Sequence, residues 1–210
     1  HQDTVITLLD NNADINIADK DGDSPLHLAL RGNNFNIVTT LMERGANVHQ
    51  LNNEKQTPLH LASDPDVARE LLSNGAELEA RDNQNRTPLH AAKTPELAAV
   101  LLGRGANINV IDNDGLTPLH RRARGISLAM QDTEITNEER KQYIKDFTAT
   151  ISYLLSKGAD INITDKNGKT AFDLLPDEVK QNEEFKGLRP DPQKLQYNIL
   201  RAQIDKGEGI

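Results

Sequence analysis

Four of the six histidines close a repeated tetrapeptide: Ser24-Pro25-Leu26-His27, Thr57-Pro58-Leu59-His60, Thr87-Pro88-Leu89-His90 and Thr117-Pro118-Leu119-His120. The steps between copies are 33, 30 and 30 residues. Metal ligation is the chemistry an imidazole array first suggests. The spacing opposes it. Equivalent positions on neighbouring helices lie roughly 8–10 Å apart, whereas zinc ligands sit about 2 Å from one ion. The histidines are therefore expected to be structural, and neither a metal site nor a cofactor is expected. His49 lacks a companion at ligand spacing, and the chain has no cysteine, so thiolate sites and disulfides are excluded within it. Asp19-Lys20-Asp21-Gly22-Asp23 and Asp112-Asn113-Asp114-Gly115 resemble the opening of a calcium loop. Neither continues into the full loop with its terminal Glu, so both read as turns. No nucleophile elbow, phosphate loop or H-E-x-x-H occurs. No catalytic residue is expected.

Arginine supplies the remaining chemistry. Arg121, Arg122 and Arg124 crowd one segment, and guanidinium groups pair bidentately with carboxylate or phosphate. The surrounding balance is acidic. Net charge is −8 over 210 residues. Residues 1–116 carry 9 basic and 17 acidic groups, while residues 117–157 carry 7 and 5. A general phosphate-backbone surface is therefore not expected, and any basic site is local. No apolar run approaches the roughly 20 residues that span a bilayer, so no membrane insertion is expected from this segment.

Small repeated units must position these groups. In Thr57 to Gly75, Thr57 is a good N-cap and Pro58 suits the first helical position. Leu59, Leu61 and Ala62 give a short apolar face. Asp64-Pro65 repeats the device and opens a second helix carrying Val67, Ala68, Leu71 and Leu72. Gly75 follows as the stop. Residues 76–86 are polar and turn-rich. One unit thus reads as helix, turn, antiparallel helix, extended finger.

The unit resembles the ankyrin repeat, whose T-P-L-H-x-A signature recurs at this period. Matches are Ser24–Ala29, Thr57–Ala62 and Thr87–Ala92. The family's G-A-D-V-N segment appears as Gly45–Val48, Gly105–Asn109 and Gly158–Asn162, with looser copies at Asn12–Asn16 and Gly75–Glu79. Asn12 for glycine is tolerable, since asparagine visits the left-handed region. These motifs span residues 5 to 175. The resemblance implies an all-α solenoid of stacked helix-turn-helix units with β-turn fingers and one enlarged repeat. The expected divisions are the outer helix of a truncated repeat at 1–18 and three repeats at 19–116, two of them shortened. A repeat with an insertion of about 20 residues is expected at 117–163, a degenerate capping repeat at 164–190, and a further helix or linker at 191–210. The chain is expected to be a fragment with more repeats upstream.

Three departures stand out. The shortened repeats lose residues around Asp64-Pro65 and Thr94-Pro95, which either tightens the turn or widens a groove by altering curvature. The fourth repeat is enlarged. Its extra residues run through Ile126, Leu128 and Met130 to a polar stretch, 131–137. Thr136-Asn137-Glu138-Glu139 is a capping box. Tyr143, Ile144, Phe147, Ile151, Leu154 and Leu155 then share one helical stripe, which predicts a long outer helix over 137–157. Two readings stay open: a satellite core of Tyr143, Ile144 and Phe147 on Ile126, Leu128 and Met130, with arginines paired to Asp132, Glu134, Glu138 or Glu139; or a partner site with the arginines at its base. In the tail, Thr170–Leu175 reads as a degenerate inner helix, 177–186 as an outer helix and 191–206 as one more, with Leu195, Ile199 and Leu200 on a face.

The resemblance implies a protein–protein interaction module. The expected contact residues are the finger positions Lys20, Asp21, Asp23, Asn53, Glu54, Gln56, Asn83, Gln84, Arg86, Asn113, Asp114 and Leu116, together with Arg121, Arg122 and Arg124. Leu51, Ile111 and Leu116 read as apolar groups standing out near the fingers. The partner is expected to be another protein, and the chain a monomer inside the cell. Similar repeat regions occur in adaptors, channels, transcription regulators and host-directed effectors of intracellular bacteria; the asparagine-rich, cysteine-free composition leans toward the last, which implies the host cytoplasm. The alternative is a substrate-recruiting region of a larger enzyme or effector. Catalysis within 121–147 would need Arg121, Arg122 and Glu138 around one closed pocket.

Overall fold

The computed structural model describes residues 2–181 and 189–205, with side chains described as far as residue 198. Its elements are α1 (Gln2–Asp10), α2 (Pro25–Arg31), α3 (Phe35–Glu43), α4 (Pro58–Leu61), α5 (Pro65–Ser73), α6 (Pro88–Ala91), α7 (Pro95–Gly103), α8 (Pro118–Gln131), α9 (Asn137–Ser156), α10 (Asp177–Lys180) and α11 (Pro192–Asp205). Among the described residues the only β pairing is an isolated antiparallel bridge between Thr164 and Thr170. The chain forms two compact units, 1–92 with 99–107 and 93–98 with 108–210, so α7 runs through both.

In the first unit α2, α4 and α6 are inner helices and α1, α3 and α5 outer ones. Each inner helix starts at a Pro behind a Ser or Thr N-cap in extended conformation. The outer helices are amphipathic. Val38 and Leu41 of α3, and Ala68 and Leu71 of α5, are fully buried. Asp64 caps α5 by accepting from the N–H groups of Asp66 and Val67. Helix stops fall at Asn12, Gly45, Gly75 and Gly105, all with positive φ. The lost residues of the short repeats come out of the inner helix. The helices α4 and α6 have 4 residues, against 7 in α2. Ala62 and Ala92 already turn to extended backbone where α2 continues.

In the second unit both helices of the fourth repeat are lengthened. The inner helix α8 has 14 residues and the outer helix α9 has 20. Thr136 and Glu139 form the expected capping box. The hairpin closes around Gly125. A Cβ there would lie 2.7 Å from Phe147 Cε1, so only a glycine lets the ring this close to α8. Phe147 lies over the Arg122 guanidinium, 5.2 Å from carbon to ring centroid. The satellite core is smaller than the stripe suggested. Ile126 and Ile151 are buried, but Leu128 and Tyr143 stand largely in solvent.

The degenerate repeat corrects one expectation. Residues 170–175 form successive turns instead of an inner helix. Asp173 replaces the missing histidine, its Oδ2 accepting from Thr170 N–H and Oγ1. Residues 177–180 are helical as α10; the expected helix to 186 runs into residues 182–188, outside those described, as do the side chains of Ile199 and Leu200. The last helix α11 docks on the loop that follows α9, with Asp191 N–H donating to Asn162 Oδ1 at 2.7 Å and Asn198 Nδ2 to the Asn162 carbonyl.

Candidate functional site

The four tetrapeptide histidines are buried. His27 shows their use. Its Nδ1 accepts from Ser24 N–H (3.2 Å) and faces Ser24 Oγ (2.8 Å). Its Nε2–H donates to the Gln56 carbonyl of the next finger at 3.0 Å. His60 repeats this with Thr57 and the Arg86 carbonyl, and His120 with Thr117 and the Lys169 carbonyl. An acceptor at Nδ1 and a donor at Nε2 define the neutral ring. Burial accordingly pushes His27, His60 and His120 below 6.5, against the opposing pull of those carbonyls. These rings tie each helix start to the following finger. No group of three His, Asp or Glu side chains among the described residues is placed to hold a metal.

The fingers share one turn. Asp19, Asn52, Asp82, Asp112 and Asp165 each stand five residues before the N-cap Ser or Thr. The side-chain Oδ1 of each accepts two backbone N–H groups, two and four residues on: Asp21 and Asp23, Glu54 and Gln56, Gln84 and Arg86, Asp114 and Leu116, Asn167 and Lys169. The residue three positions on is left-handed, with φ from 57 to 77°. Sequence reasoning missed these caps, although an acidic or amide residue at a constant distance before each Thr-Pro was visible.

In the first unit the fingers are laced together. Asn53 N–H donates to the Asp21 carbonyl and Asn53 Nδ2 to the Lys20 carbonyl; Asn83 does the same to Glu54 and Asn53. In the second unit Lys166 N–H donates to the Asp114 carbonyl. Asn53 and Asn83, expected as contact residues, thus spend their amides holding the fingers in register.

Several other expected contacts are also committed. Asp23 is buried, pairing with Arg31 at 2.9 Å and accepting from Asn52 Nδ2 at 2.7 Å. Gln56 accepts from Arg31 Nη2 and Asn52 Nδ2. Arg86 pairs with buried Asp82 at 2.5 Å. Leu116 is buried and does not stand out from its finger, in contrast to exposed Leu51 and Ile111. Arg121 reaches back to Asp112, with Nε at 2.9 Å and Nη2 at 2.5 Å from Oδ2. Burial alone would raise the Asp112 carboxyl. The hydrogen bonds from Arg121, Leu116 and Asp114 outweigh it and hold the group below the usual carboxylate range. Asp82 is held down in the same way by Arg86, against its burial.

Arg122 is buried beneath Phe147. Loss of solvent, with a smaller push from Arg121, brings it down to about 10. It therefore offers little surface to a partner, and Arg121 turns to Asp112 instead of to the insertion carboxylates. Glu138 pairs instead with Lys141 in the first turn of α9. Arg121 pairs with Asp112 and Glu138 with Lys141, so these two do not assemble the pocket that catalysis would need. Arg124 remains exposed, one turn from exposed Leu128 on α8.

What stays outward is compact in kind. In the first unit the tips carry Lys20, Asp21, Glu54 and Gln84, with Leu28 on α2 about half exposed beside Arg31. In the second, Asn113 and Asp114 are exposed at the finger, with Arg124 on α8. Such a site can bind.

The capped helix pairs, the histidine ties and the laced turns define a helical repeat solenoid. Family models agree: "Ankyrin repeats (3 copies)" match residues 1–82 and "Ankyrin repeat" matches residues 84–113, together more than half of the chain. The chain belongs to the ankyrin-repeat family, whose members are protein–protein interaction modules. No curated protein matches it significantly. No helix among the described residues is long and apolar enough to cross a membrane.

Proposed function

We propose that this chain binds another protein through its finger tips and the exposed side of its inner helices. One observation carries the reading. The side chains of Lys20, Asp21, Glu54, Gln84, Asp114 and Arg124 make no hydrogen bond or ion pair among the described residues, while the backbone beneath the finger positions is pinned by repeated caps. A backbone already pinned loses little ordering entropy on docking, which leaves only the side chains to be ordered. Mixed charge around the apolar Leu28 suits a protein surface, and the net charge of −8 disfavours nucleic acid. On α8, the row Arg124–Leu128 continues from Arg121, which touches a finger residue, and so extends the finger side of the second unit.

The test is affinity capture from cell lysate with three versions of the chain. Leu28→Asp with Glu54→Lys should lose the captured protein, and Glu43→Lys on the outer helix α3 should retain it. Equal capture by both would contradict the proposal. Arg124→Glu probes the second unit; Arg122 is unsuitable because its replacement would disrupt the hairpin.

A further inference from the structure

The same two positions of the five finger turns read Asp21-Gly22, Glu54-Lys55, Gln84-Asn85, Asp114-Gly115 and Asn167-Gly168. Only the fifth sets an asparagine before a glycine. That order carries a built-in reaction, because no Cβ hinders the glycine nitrogen as it approaches the side-chain carbonyl carbon. The chain holds one other such pair, Asn74-Gly75 at the C-cap of α5. There the helix end holds both partners. Asn74 Nδ2 donates to the Glu70 carbonyl at 2.9 Å, and the Asn74 and Gly75 N–H groups donate to the carbonyls of Glu70 and Leu72. Asn167 is exposed, and its side-chain amide makes no hydrogen bond among the described residues. Its turn is also uncovered. A Cβ on Gly22 would lie 2.7 Å from the Asn53 nitrogen of the next finger, and one on Gly115 3.1 Å from the Lys166 nitrogen. A Cβ on Gly168 would meet nothing within 4 Å among the described residues.

We propose that Asn167 is a site of spontaneous deamidation. The Gly168 N–H donates to the Asp165 carbonyl at 3.0 Å, so the turn must first open. The freed Gly168 nitrogen then bonds to Asn167 Cγ. Its proton passes through water to the side-chain nitrogen, which leaves as ammonia with the electron pair of the broken C–N bond. The succinimide so formed takes up water at either carbonyl and yields aspartate or isoaspartate. A neutral amide thereby becomes a carboxylate beside exposed Lys166 and Lys169. Isoaspartate also adds one methylene to the main chain of the turn. The N–H groups of Asn167 and Lys169 both rest on Asp165 Oδ1, and the Lys169 carbonyl receives the His120 bond. The modification therefore changes the charge of the fifth finger and loosens its tie to α8.

The test incubates the full chain, folded and in urea, in mildly alkaline buffer. Peptide mapping by mass spectrometry reads the amide-to-acid mass gain at each Asn-Gly pair, and electron-transfer fragmentation tells isoaspartate from aspartate. In the folded chain Asn167 should convert about tenfold faster than Asn74, whose amide must first leave Glu70 and whose helix end must fray. In urea the two should convert alike. Asn167→Gln should keep that finger free of the gain, because its longer side chain closes a ring far more slowly. Hydrogen exchange at the Lys169 amide should rise with the isoaspartate fraction. A folded-state rate ratio no larger than the ratio in urea would overturn the proposal. So would conversion of the glutamine variant at the rate of asparagine. Unchanged exchange at Lys169 in isoaspartate-bearing chains would overturn the loosening assigned to it.

Discussion

Replacing Asp112 separates the two tasks of the finger caps. Its side chain is fully buried and serves three partners: the Asp114 and Leu116 N–H groups at Oδ1 and the Arg121 guanidinium at Oδ2. Asp112→Ala removes all three. Leu116 is buried, so its N–H finds no water, and Arg121 is left near a vacated site with only a fifth of its side chain exposed. Orphaned groups of this kind cost about 1–3 kcal/mol each, and breaking a buried pair about 3–5 kcal/mol, so a loss of about 4 kcal/mol is expected. Asp112→Asn keeps an oxygen for both N–H groups, as Asn52 does in the second finger. It loses the Arg121 contact, because the amide nitrogen that replaces Oδ2 is itself a donor, but both N–H groups stay satisfied, so a smaller loss of about 1–3 kcal/mol is expected. Urea unfolding followed by circular dichroism gives both values, and exchange at the amides of residues 114 and 116 shows whether the finger opens. Because the folded carboxyl sits below its ordinary 3.8, its contribution is present above that pH. It should fade as pH falls from there through the folded value. Equal losses for the two variants, or a loss under about 1 kcal/mol for alanine, would refute the view that the cap, more than the ion pair, holds the finger.

Two more outcomes are expected. His27, His60 and His120 are held neutral below their usual 6.5, so the unfolded chain binds more protons in mild acid; stability should be full above pH 6.5 and fall as pH drops below it. Unfolding midpoints across that window check this, and His60→Asn with His120→Asn should shallow the slope. Gly125→Ala should destabilise the hairpin by about 1–3 kcal/mol despite alanine's better helix propensity, because Phe147 must retreat; Phe147→Leu in the same chain should recover part of the loss, measured by a double-mutant cycle.

Much of the fold was legible because each repeat states its boundaries twice. Thr-Pro opens an inner helix, and glycine or Asn12 closes an outer one, so helix ends follow from local chemistry. The capping box at Thr136 worked likewise. Function was less legible because burial in a finger depends on what stacks beside it. Asp23 and Leu116 occupy the same finger position, one charged and one apolar, and both are buried next to an N-cap. Arg122 stands at the alanine position of the tetrapeptide unit, where Ala29, Ala62 and Ala92 are buried. Its burial could have been read from that register. The absence of a side chain at Gly125, which admits Phe147 over the guanidinium, could not. Residues 170–175 kept the Thr cap through Asp173 and still failed to form a helix.

The central claim is that a protein docks on the finger side. A photo-crosslinking residue placed singly at Leu28, Glu54, Gln84 or Arg124, and at Glu43 and Arg69 on the outer helices, tests it most directly in lysate. The account predicts one common adduct from Leu28, Glu54 and Gln84 in the first unit, an adduct from Arg124 in the second, and none from the outer two positions. Adducts confined to Glu43 and Arg69 would contradict it.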